Sequence, residues 1–98
     1  MSSVSRAREI EIRELLALKF HLHSLIFEDF SAQHAGHSVQ AKHGGSHVHL
    51  SICSSDFQGL SRLERSRRVH EALEPLLSSA KIHALTLRLS TPDEEKIK

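Results

Sequence analysis

Nine histidines stand out in a chain of 98 residues, and seven of them, His21, His23, His34, His37, His43, His47 and His49, fall between positions 21 and 49. Imidazole titrates near neutrality and is the commonest protein metal ligand, so the clustering points to metal binding or proton-linked recognition. Four arginines, Arg62, Arg65, Arg67 and Arg68, form a second candidate, a basic stretch able to meet an acidic partner or a phosphate backbone. The single cysteine, Cys53, cannot form an internal disulfide, and without a CxxC partner it fits a reducing compartment. As a nucleophile it lacks an evident base beside it, and the chain reads as non-enzymatic.

These side chains are positioned by elements that periodicity reveals. Val48, Leu50 and Ile52 alternate with His49, Ser51 and Cys53, the period of two that defines a half-buried strand. Gly44 and Gly45 precede this central strand, and a turn at Asp56-Phe57-Gln58-Gly59 follows it. Upstream, good helix formers from Ser5 to about Phe20 place Ile12, Leu15, Leu16 and Lys19 at helical spacing. The apolar run from His23 to about Ser31 is a strand, and residues 32 to 46, with three glycines and no sustained period, are a long loop.

Downstream, Ser61-Arg62-Leu63-Glu64 is a capping box that starts a second helix, which Pro75 should end or kink. A third strand runs from Ile82 to Ser90, and Thr91-Pro92-Asp93-Glu94 is a second capping box opening a short terminal helix. Strand, helix, strand is a crossover unit, so the second and third strands should be parallel. If the first two strands form an antiparallel hairpin, the loop carrying His34, His37 and His43 shares one sheet edge with His83.

The expected architecture is α+β: one domain over residues 1–98, its core about 5–92, with helices on one face of a three-stranded mixed sheet. Thirteen basic against twelve acidic side chains leave no field strong enough to imply nucleic acid or membrane by itself. No apolar run approaches the roughly 18 residues a membrane span needs. Glu9, Glu11 and Glu14 argue against a transit peptide, so the expected location is cytoplasmic, or the mitochondrial matrix if a presequence has been removed.

Gly-Gly-Ser-His at 44–47, Phe-Gln-Gly-Leu-Ser at 57–61, Arg65 and Arg67, Ile-His-Ala-Leu at 82–85 and Thr-Pro at 91–92 together resemble the BolA family. The resemblance implies a fold similar to the class II KH domain. It also implies a monothiol glutaredoxin as partner, with a [2Fe-2S] cluster bridged between glutaredoxin and glutathione thiolates on one side and imidazoles of this chain on the other. The family's ligand histidine falls on His83. The second ligand falls on His34 when positions are counted forward from Asp29 and Ser31, and on His37 when they are counted back from Gly-Gly-Ser-His. Where the family usually has Arg-His-Arg, this chain has Arg65-Ser66-Arg67, which removes any role resting on that histidine.

Two rival readings remain at this stage. A KH-like nucleic-acid-binding regulator would use Arg62, Arg65, Arg67 and Arg68, although no Gly-x-x-Gly turn, Trp or Tyr is present to clamp or stack a strand. A histidine-rich zinc or nickel site at His34, His37 and His43 would lack cysteine or acidic ligands.

Overall fold

Ile12, Leu15 and Leu16 share one face of the first helix, α1 (Ser3–Ala17), and that face closes over a three-stranded sheet. The computed structural model describes residues 3–30 and 47–96 of the chain. Ile12 and Leu16 are wholly buried. The helix stops at Ala17 rather than near Phe20, where the Lys19 amide closes a tighter turn on the Leu16 carbonyl (3.0 Å) and the Phe20 amide shares that acceptor (2.8 Å). Its ring thereby turns into the core against Phe57, with centroids 5.2 Å apart.

The sheet consists of β1 (Leu22–Asp29), β2 (His47–Ser54) and β3 (Ala84–Ser90), in the order β1-β2-β3. β1 and β2 are antiparallel, and β2 and β3 are parallel, as the crossover requires. Val48, Leu50 and Ile52, all at most 1% exposed, stand opposite Leu85, Leu87 and Leu89 on one side, and Leu25 and Phe27 face Ile52 and Leu50 on the other. This is the face the helices cover. The opposite face carries Glu28 and Ile26, then His47, His49 and Ser51, then Thr86 and Arg88, and Ile26 there is 58% exposed. The stretch expected to be a long loop, residues 32–46, lies outside the described residues.

A short 3-10 turn (Ser55–Phe57) follows β2, and Gly59, at φ 77°, turns the chain through a backbone region that favours glycine. The second helix, α2 (Arg62–Ala72), starts where the Ser61 hydroxyl accepts the Glu64 amide (3.1 Å). The reciprocal half of that box does not form, since the Glu64 carboxylate turns instead to Arg68 at 3.5 Å. Proline has no amide to continue the ladder, so the helix breaks at Leu73 and α3 (Glu74–Ser78) starts afresh with Pro75 in its first turn.

The end of α3 is a Schellman turn. The Lys81 amide reaches the Leu76 carbonyl, the Ala80 amide reaches Leu77, and Ala80 takes the left-handed conformation at φ 63°. The Ile82 amide also bonds Leu76 O, which turns its side chain into the core at 2% exposure and delays β3 to Ala84, past the start expected at Ile82. α4 (Pro92–Lys96) then begins on a complete capping box, with the Glu94 amide donating to Thr91 Oγ1 (3.2 Å) and the Thr91 amide to Glu94 Oε1 (2.9 Å).

Candidate functional site

One edge of the sheet gathers three chain ends. β1 leaves it at Asp29, the Phe30 amide donating to the His47 carbonyl (2.8 Å), and β2 enters it at His47. In the parallel register His47 stands beside Ala84, so His83 sits at the same edge, one residue before β3. His83 is exposed and has no hydrogen bond or ion pair among the described residues. His34, His37 and His43 lie outside those residues, but the segment carrying them departs after Phe30 and returns at His47. Both of its anchor points are therefore at the edge that His83 opens.

Two further histidines belong to this corner. His47 and His49 share the open face with ring centroids 5.2 Å apart, and the Phe30 ring lies 4.4 Å from His49. The alternation along β2 was the signal for them, since it put His49 on the side opposite the core. Among the described residues no group of three or more His, Cys, Asp or Glu side chains converges closely enough to hold a metal ion. A full ligand set around an ion bound by His83 must therefore draw in part on the 31–46 segment or on another molecule.

The arginines separate into two kinds. Arg62, Arg67 and Arg68 are exposed on α2, with Arg68 also reaching Glu64. Arg65 is 9% exposed and belongs to the fold. Its guanidinium donates to both Glu94 oxygens (2.8 and 3.0 Å), to the Leu60 carbonyl (3.0 Å) and to the Leu89 carbonyl (3.4 Å), and it lies 5.9 Å from the Phe57 ring. That geometry separates it from the other three expected contact residues, because most of its donors are engaged within the chain. The capping box identified Glu94, yet nothing local announced a partner 29 residues away.

The same pair predicts an acid-sensitive end to the molecule. Hydrogen bonds from Arg65 and then from the Thr91 amide pull the Glu94 carboxyl from an ordinary 4.5 down to about 2. The folded chain therefore holds this proton less readily than the unfolded one. The resulting stabilisation is complete above about pH 4.5 and is lost as pH falls toward about 2. Urea midpoints at descending pH should fall less steeply for Glu94→Gln than for the parent, and equal slopes would contradict the pairing.

Cys53 is 7% exposed, which closes its thiol to a substrate. No helix among the described residues is long and apolar enough to cross a membrane.

Residues 16–94 match the family model described as BolA, BolA-like protein. The chain belongs to the BolA family. It is 37% identical over 92 residues to the SufE-like protein 1, chloroplastic/mitochondrial, of Arabidopsis thaliana, an alignment covering 90% of this chain and 24% of that protein. The chain thus spans about a quarter of that relative's length. It is also 34% identical over 85 residues to the DNA-binding transcriptional regulator BolA of Haemophilus influenzae, covering 87% of this chain and 78% of that one. Among solved structures, the BolA domain of SufE1 from Arabidopsis thaliana superimposes with a TM-score of 0.74 at 36% identity, covering 96% of this chain and 98% of that one. The expected α+β architecture is thus the BolA fold.

Proposed function

We propose that this BolA-like chain is a non-enzymatic partner of a monothiol glutaredoxin, giving imidazole ligands to a [2Fe-2S] cluster bridged between the two proteins and glutathione. His83 is one ligand, and either His37 or His34 is the second. The observation that carries this reading is the sheet edge, where His83, exposed and without a hydrogen bond or ion pair among the described residues, shares the edge with both anchor points of the histidine-bearing segment. The donor chemistry fits: neutral imidazoles bind iron, raise a cluster's reduction potential relative to thiolates, and can be released by protonation. A half-site of two imidazoles holds nothing tightly alone, which suits a cargo that must be passed on.

The test is reconstitution of the purified chain with a monothiol glutaredoxin, glutathione, iron and sulfide, followed by size exclusion and visible circular dichroism. A heterodimer with a cluster spectrum unlike that of the glutaredoxin homodimer is expected. Separate elution of the two proteins, with an unchanged homodimer spectrum, would contradict the proposal. The SufE-like relative's chloroplastic/mitochondrial name supports an organellar setting for this chain beside the cytoplasmic one expected from its composition.

A second reading, nucleic-acid binding, is favoured by the exposure of Arg62, Arg67 and Arg68 together with the name of the Haemophilus relative. Three phosphate contacts would give duplex DNA affinity a log–log salt slope of about −2.7. Replacing the three arginines by glutamine should flatten that slope; an affinity insensitive to salt would rule the reading out.

A further inference from the structure

β3 is an edge strand, bonded to β2 on one side only. Alternate residues of such a strand direct their amide and carbonyl groups outward. Arg65 marks which residues these are, because its guanidinium reaches the Leu89 carbonyl from the α2 side. Leu85 and Leu87 are in phase with Leu89, and their outward backbone groups meet no partner among the described residues. Between this edge and α2 runs a groove of about 540 Å³. Leu85, Leu87, Ser66 and His70 are among the residues that line it. The His70 Nδ1–H donates to the Ser66 carbonyl (2.8 Å).

Charge chooses the occupant. Arg62 on α2 and Arg88 on β3 both line the groove, and neither has an ion pair among the described residues. Arg65, by contrast, is neutralised by Glu94. The unpaired charge along the groove is positive, and it lies among the leucines of β3.

We infer that the β3 edge is a docking site for an extended acidic peptide of a partner protein, which adds a fourth strand alongside Leu85–Leu89. Main-chain hydrogen bonds to Leu85 and Leu87 supply the attachment. Alternate apolar side chains lie on the leucines, and carboxylates meet Arg62 and Arg88. A nucleic-acid strand fits less well, because no phenylalanine among the described residues lines the groove to stack bases. This site is independent of the cluster, since it requires neither His83 nor the 31–46 segment.

The probe is a blocked peptide of alternating glutamate and valine, titrated into the isotopically labelled chain while amide resonances are followed. Shifts and slowed exchange are expected at Leu85, Leu87 and Leu89. A peptide N-methylated at alternate positions, which cannot donate the edge bonds, should bind about tenfold more weakly. The exposed double variant Arg62→Glu, Arg88→Glu should lose about fivefold in affinity with an unchanged fold, read from the dispersion of the same spectrum. The inference is overturned by shifts confined to the open face, by equal binding of the N-methylated peptide, or by an undiminished affinity in the double variant. An oligothymidylate that displaces the peptide and binds more tightly would assign the groove to nucleic acid instead.

Discussion

His83→Ala is expected to abolish the heterodimer-specific cluster spectrum while leaving the fold intact. The side chain is exposed, precedes β3 and makes no hydrogen bond among the described residues, so its removal should change unfolding free energy by no more than about 0.5 kcal/mol. Among the described residues the imidazole at the same edge is that of His47, whose ring is engaged on the open face with His49. Visible circular dichroism of the reconstituted mixture should therefore revert to that of the glutaredoxin homodimer. Of His34→Ala and His37→Ala, one should reproduce the loss and the other should not. A His83→Ala protein that keeps the parental spectrum would remove the ligand assignment.

Phe57→Ala should be the most damaging single core change. Phe57 is fully buried between the Phe20 ring and the Arg65 guanidinium, so it joins the end of α1 to the start of α2 and to the Arg65–Glu94 pair. Truncating a buried phenylalanine to alanine costs about 3–5 kcal/mol. A domain this small has about 5–15 kcal/mol in total, so the variant should be marginal or unfolded at room temperature. Phe57→Leu, which keeps most of the volume, should cost under about 1.5 kcal/mol. Urea denaturation of both variants provides the comparison, and a loss below about 1 kcal/mol for Phe57→Ala would show that the ring does not bridge these elements.

Much of this architecture was legible because its signals are local. Alternation of Val48, Leu50 and Ile52 located β2, Ser61 and Pro75 bracketed α2, and the crossover rule set the parallel pairing that brings His83 beside His47. Element ends were less legible, because long-range burial decides them. Phe20 and Ile82 extend the apolar patterns of a helix and a strand, yet both leave those elements to enter the core. The role of Arg65 was hidden for the same reason. On the helix it is one arginine among four, and only the return of the chain at Glu94 takes it out of the exposed set.

The open face had its signal in β2, but the ring contacts among Phe30, His47 and His49 depend on the hairpin register. The choice between His34 and His37 depends on residues outside those described, and sequence counting leaves both in play.

The most direct test of imidazole ligation is pulsed electron paramagnetic resonance of the reduced heterodimer, with the histidine nitrogens of this chain alone isotopically labelled. Two couplings from labelled imidazole nitrogens are predicted, and both are absent in His83→Ala, which forms no heterodimer cluster. A cluster showing no nitrogen coupling from this chain would contradict the account.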